Sequence, residues 1–318
     1  MYSRWSNVAV VVFWLITMGW LVEDKILPSL SVGEPPTYRT ILSEEPAHQE
    51  PVFWNVFLNG RPLGRAEFSR RTLDQGVAEL RSQVHLDGLP LAEITPGWMN
   101  SLMRLASGSR EWAQLVLTIE SDSRLEIDPL GRPMGFYSKT WLGERDSWPA
   151  SGLRGGPSPA GVLQITLQGT VEGQQLRLKV RSGHFIYNTS VYLSADALMS
   201  DAFSPQSRLP NLKVGQSWTV PLYSPLHPPT APMEILRATV VRREPISWGG
   251  QVVPTYLVDF RADPGGGLSG NQASRAKAWV GADGLVLKQE MTLLSARLTF
   301  ERVGHKDQTS PATRESDP

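Results

Sequence analysis

The feature that most constrains this chain is how little sequence separates its extended segments. From residue 52 onward, stretches rich in β-branched and aromatic residues are punctuated by compact turn clusters: Asn59-Gly60, Asp87-Gly88, "DPLG" from Asp128 to Gly131, and Asp283-Gly284. Asn-Gly and Asp-Gly pairs supply the positive φ angles that tight hairpins demand. Parallel strands would need crossovers of roughly a dozen residues or more, and few gaps allow them. In the segment 77–86, Ala78, Leu80, Ser82 and Val84 alternate with Val77, Glu79, Arg81 and Gln83. That period of two predicts half-buried antiparallel strands. About twelve to fourteen strands are expected. They lie at 52–58, 65–71 and 77–86; at 112–121, 124–127 and 135–141; and at 162–167, 174–180 and 185–193. Further strands follow at 233–243, 252–262 and 273–281, with a last hairpin ending near Arg302. Two short helices are expected, one over 97–106, where Trp98, Leu102 and Leu105 recur at helical spacing, and one over 195–203.

The N-terminus is of another kind. Val8 to Val22 is an apolar run diluted only by Thr17 and Gly19. As a helix it covers roughly 22 Å, short of a hydrocarbon core of roughly 30 Å. Trp5, Trp20 and the stems of Arg4 and Lys25 can extend its reach into the interfaces. No Ala-x-Ala follows the run, since Glu23, Asp24, Lys25 and Ile26 come next. Residues 1–27 therefore read as an uncleaved transmembrane anchor, with a cleaved leader as the alternative; either exports the remainder. Arg4 and the terminal amine before the run, and the acidic pair after it, put the N-terminus in the cytoplasm. The expected location is a single-pass inner membrane protein with its bulk in the periplasm. Residues 28–51, with Pro28, Pro35, Pro36, Pro46 and Pro51, read as an extended stalk or as an arm packed on the domain. A β domain over 52–303 follows, with a candidate internal boundary in the Gly/Pro/Ser-dense stretch 143–161, and then a disordered tail at 304–318.

Composition removes several chemistries. The 318 residues carry 31 basic and 31 acidic side chains, with no basic stripe, so nucleic acid is not an expected partner. The absence of cysteine excludes disulfides, a thiol nucleophile, thiolate metal sites and a lipobox. His48, His85, His184, His227 and His305 show no metal-ligand spacing. There is no nucleophile elbow and no Walker sequence. Gly265, Gly267 and Gly270 match the dinucleotide glycine pattern, but a strand follows instead of a helix, so a hairpin loop is expected. Glu120, Asp122, Glu126 and Asp128 fall in and around a predicted turn, where solvated carboxylates are expected in place of an acid/base pair. No catalytic residue, cofactor or metal site is assigned.

Two stretches carry a resemblance: "LPNLKVGQSWTVPLYSPL" at 209–226 and "AWVGADGLVLKQEM" at 278–291. Leu212, Val214, Gly215 and Trp218 form an L-x-V-G-x-x-W turn, and Trp279 to Lys288 form a W-V-x-x-D-G-L-V-L-K hairpin. With the opening "NGRPLG" hairpin, these resemble the uncharacterised exported bacterial domains related to the lipoprotein-carrier half-barrels. The resemblance implies a mainly β fold, a strongly curved antiparallel sheet (half-barrel or open barrel) with helices across its concave face. The carriers bind acyl chains; no catalytic residue transfers from them. The expected function is a non-catalytic, membrane-anchored module that binds a lipid, lipopeptide, acyl chain or partner protein. Trp98, Trp218 and Trp279 are the candidate ligand-binding residues, with packing in the core and at its rim as the alternative role for the chain's tryptophans. A structural scaffold of the cell envelope is the second reading, and a hydrolase with a site built from distant residues the third. An open apolar cavity would favour the first; a filled interior with an exposed apolar patch would favour the second.

Overall fold

Two-residue turns dictate the topology. Asn59 and Gly60 (φ 49° and 83°) join β1 (Gln49–Leu58) to β2 (Arg61–Thr72), and Gly249 and Gly250 (φ 56° and 76°) join β11 (Met233–Trp248) to β12 (Gln251–Ala262). Positive φ at both central positions matches the twist of the flanking strands. In the second hairpin Pro245 faces Pro254. Counting from Trp248 and Gln251, which flank the turn, this is a non-hydrogen-bonded pair, so neither missing N–H breaks the ladder between the two strands.

The computed structural model describes residues 3–21, 34–44, 49–90, 116–144, 162–193, 197–225, 227, 232–262, 273–293 and 296–304. The remaining strands are β3 (Ala78–Pro90), β4 (Val116–Ile127), β5 (Pro133–Glu144), β6 (Leu163–Glu172), β7 (Gln175–Ser182), β8 (Phe185–Tyr192), β9 (Ser200–Asp201) and β10 (Ser217–Tyr223). They are completed by β13 (Ser274–Gly281), β14 (Val286–Leu293) and β15 (Ala296–Arg302). All belong to one open sheet in the order β8-β7-β6-β5-β4-β3-β2-β1-β15-β14-β13-β12-β11-β10-β9. Every pairing is antiparallel except the short β9 alongside β10. The mainly β, antiparallel expectation holds. Strands β5 and β6, on either side of 143–161, are hydrogen-bonded neighbours, so the sheet runs on across that stretch.

One face of the sheet is apolar, and the sheet curls around it. Phe136 of β5 and Tyr223 of β10, near opposite ends of the strand order, meet edge-on at 5.7 Å between ring centroids. Trp54, Leu86, Ile119, Leu167, Leu298 and Phe300 are fully buried in a continuous core. Residues 197–216 run as a strap along the inside of this trough, burying Leu198, Phe203 and Leu209. Helix α2 (Tyr38–Glu44) packs on the strap, where the Tyr38 hydroxyl donates to the Met199 carbonyl at 2.9 Å.

Several expectations are corrected. Within 28–51, residues 38–44 form α2 and 49–51 start β1 in place of an extended stalk, because Tyr38 and Ile41 have apolar surface to bury against the strap; 28–33 and 45–48 lie outside the described residues. The helix expected over 195–203 is not formed in its described part: residues 197–199 are irregular, and Ser200 and Asp201 pair with Leu222 and Tyr223. The segments 112–121 and 124–127 are parts of a single strand β4 as far as they are described, since Asp122 and Ser123 continue the ladder to β3 and β5. Strand β10 was hidden by Pro221, which is tolerated because β9 pairs only with residues 222 and 223. The helix expected over 97–106 and the glycines at 265–270 lie outside the described residues. Helix α1 (Ser3–Leu21) forms, but no helix among the described residues is long and apolar enough to cross a membrane.

Close approach makes one glycine critical. A Cβ on Gly64 would lie 2.0 Å from the His85 carbonyl oxygen, whereas one on Gly60 would meet nothing within 4 Å. Gly64→Ala should lower stability by about 3 kcal/mol or more, and Gly60→Ala by only about 1–2 kcal/mol from its left-handed backbone. Equal losses in chemical denaturation would refute this account of the β2–β3 contact.

Candidate functional site

The inner face changes character across three neighbouring strands. Ser82, Ser123 and Ser138 are cross-strand partners on β3, β4 and β5, and all three are buried. Two residues along, Ser121 and Thr140 are also paired and buried, with 3.1 Å between their hydroxyls. These hydroxyls occupy positions where strand alternation places apolar side chains. They are flanked on the same face by Leu80, Leu125 and Phe136.

The strap lowers a carboxyl onto this serine row. Asp201 accepts from the Phe203 backbone N–H at 2.8 Å and from the Ser138 hydroxyl at 3.3 Å, while Ser204 on the strap lies 3.0 Å from the Ser123 hydroxyl. Burial pushes the Asp201 carboxyl up to about 6, against the lowering effect of these donors. The neighbouring Tyr223 phenol is also raised, by burial first and then by the charge of Asp201. Between strap, α2 and serine row lies a cavity of about 80 Å³, lined by Tyr38, Phe68, Leu80 and Phe136 as well as Ser82 and Asp201. The Ser82 hydroxyl is buried without a partner there. At roughly 30 Å³ per water molecule the cavity holds two or three waters, well short of the roughly 300 Å³ at which ligand pockets begin. Among the described residues, no histidine lines it. The arrangement is a hydrogen-bonded latch over a small void.

The two candidate tryptophans within the described residues do not converge. Trp218, on β10, faces the core in a cross-strand row with Ala238 and Phe260, and its indole N–H is buried without a partner. Trp279, on β13, follows the core-facing Ala278 and so projects from the opposite face. There its N–H donates to Glu244 at 3.2 Å, and the Lys288 ammonium sits 5.3 Å from its ring. That N–H, against a smaller effect of burial, and then Arg242 hold the Glu244 carboxyl below its ordinary range. Trp98 lies outside the described residues. The carboxylates are also dispersed: Asp122 is bound bidentately by Arg81 at 3.0 and 2.7 Å, and Asp128 caps its own turn at Leu130 and Arg132. Among the described residues, no three histidine, aspartate or glutamate side chains are gathered to hold a metal ion.

The two edges of the sheet differ in kind. At one end, β9 is two residues long and continues into the strap. At the other, β8 offers eight residues, "FIYNTSVY", paired on one side to β7. Its Phe185, Ile186 and Tyr192 are 49, 50 and 63 % exposed, and it contains no charged residue, proline or glycine. The sequence pattern places this strand at 185–193 but does not show that it is terminal among the described strands.

No protein-family model matches the sequence, and no curated protein matches it. Among solved structures, the chain is similar to a β-barrel-like protein of domain of unknown function DUF1849 from Brucella abortus, at 9 % identity and a TM-score of 0.43, over 86 % of this chain and 98 % of that one. An overlap that loose carries no functional argument, and it does not extend the lipoprotein-carrier resemblance.

The latch makes a signed prediction. Because Asp201 holds its proton more tightly when folded, its contribution is fully present below the ordinary carboxyl range and fades as pH rises toward about 6. Asp201→Asn should therefore gain on the wild type by a few kcal/mol between pH 4 and 7, by chemical denaturation at each pH. A wild-type-to-variant difference that stays constant over this range would contradict the buried carboxyl.

Proposed function

We propose that this chain is a non-catalytic module of the cell envelope that recognises protein through the exposed edge of its sheet. The observation that carries the reading is the contrast between the filled trough, whose strap-covered cavity measures about 80 Å³, and the bare, uncharged β8. Exposed edges present unpaired N–H and C=O groups, the means by which an extended segment adds to a sheet. Of the expectations drawn from sequence, partner-protein binding and scaffolding fit this contrast better than acyl-chain binding does. Larger hollows exist on the outer face, including one of about 690 Å³, where Phe53, Tyr137 and Trp141 are interspersed with Arg65, Glu67, Glu120 and Lys139, so a lipid tail there would lie against charged groups.

Attachment to the membrane through α1 is part of the proposal. Val10 to Leu21 expose Phe13, Trp14, Ile16 and Trp20 together, a helix apolar around its circumference that calls for apolar cover. The short span is compatible with anchoring at the level of the interfacial aromatics.

The reading is tested by quantifying lipid in the purified full-length chain after exchange into a lipid-free detergent. Mass spectrometry should find bound lipid well below one per chain. A stoichiometric phospholipid or acyl chain that survives exchange would restore the carrier-like function and remove this one.

A further inference from the structure

We infer that the occupant of the β8 edge is β8 of a second copy of this chain, joining two sheets into one across a two-fold axis. The inference rests on the reading of that edge as the recognition surface and names its partner. Three observations lead to it.

The first is which backbone groups are free. Gly183 and His184 form the two-residue turn between β7 and β8, so Ser182 and Phe185 are the hydrogen-bonded pair beside it. Alternation then directs the N–H and C=O groups of Phe185, Tyr187, Thr189 and Val191 toward β7. The Leu193 N–H, which bonds inward to the Gln174 carbonyl, agrees with this phase. Ile186, Asn188, Ser190 and Tyr192 consequently turn their backbone groups outward.

The second is the register this permits. A two-fold axis between antiparallel strands must stand perpendicular to the sheet, so each residue pairs with one of the same face. Centring the axis on Thr189 pairs Ile186 with Tyr192 and Asn188 with Ser190, and uses every outward group. On the other face it pairs Tyr187 with Val191 and Thr189 with its own copy. Aromatic–β-branched pairs and facing hydroxyls are favourable cross-strand combinations.

The third is charge. The adjacent β7 carries Arg177, Lys179 and Arg181 on its outer face, whereas β8 has none. Edge strands are ordinarily protected by lysine, proline or a bulge. Here the charge stops one strand short, leaving an edge that meets itself without like-charge opposition.

The test uses the full-length chain in detergent. Because the protein has no cysteine, Thr189→Cys introduces one thiol per chain, opposite its copy at a close non-hydrogen-bonded position. Mild oxidation should convert most of the variant to a covalent dimer. Ser247→Cys, exposed on β11 and far along the sheet order, should stay monomeric at the same concentration. Ser190→Pro removes only an outward N–H from each copy, so it should raise the dimer dissociation constant at least about tenfold with an unchanged circular dichroism spectrum. Light scattering on the wild type reads the assembly directly. A monomeric wild type, equal cross-linking of both cysteine variants, or a dimer indifferent to Ser190→Pro would each overturn the two-fold pairing. A monomer that still lacked lipid would leave edge recognition standing with a different partner, whereas stoichiometric lipid would remove that reading itself.

Discussion

The structure depends on covering the inner face of a long antiparallel sheet. Each strand buries one row of side chains and leaves the other in water, so a sheet this wide generates an apolar trough that must be filled. The strap does this from within. Leu198, Phe203 and Leu209 supply apolar volume, each worth roughly 1.5–3 kcal/mol of burial. Its polar backbone is satisfied by the walls: Gln289 of β14 accepts from the Gln206 N–H, Arg302 of β15 donates to the Ser207 carbonyl, and the Leu209 N–H bonds to Gly284. The serine row is the counterpart on the other wall, receiving Asp201 and Ser204.

From that constraint follows the division of labour proposed here. A trough occupied by its own chain has little room for a guest, and the strap-covered cavity among the described residues measures about 80 Å³. Recognition then moves to the perimeter. One edge is consumed by the strap, since β9 leads straight into it; the other has no such cover among the described residues. An edge strand of eight residues is enough to extend the ladder, and the ladder supplies direction and register without any reactive group.

Much of the sheet was legible in the sequence because hairpin signals are local. Asn59-Gly60 and Asp283-Gly284 mark turns with their own φ requirements, and most strands next to such turns lie close to where the pattern places them. What escaped has a common cause in long-range packing. Residues 38–44 look like linker until the strap provides a surface for Tyr38 and Ile41. The stretch 197–203 has helical composition, yet Asp201 is held by Ser138 from 63 positions away, and tertiary contact decides its backbone. The serine row left a signal that alternation could have found: Ser82 falls in phase with Ala78, Leu80 and Val84, and Ser121 and Ser123 with Ile119 and Leu125. Richness in indole says nothing about face: Trp218 and Trp279 point to opposite sides, and only pairing register separates them.

Whether the strap is a permanent part of the core or a lid over a lipid site is the question on which the account turns. Hydrogen exchange at the amides of Ala202, Phe203 and Leu209, with and without phospholipid and free fatty acid, answers it directly. The account predicts slow exchange at all three, unchanged by either additive. Rapid exchange in the isolated protein that slows when an acyl chain is supplied would contradict it.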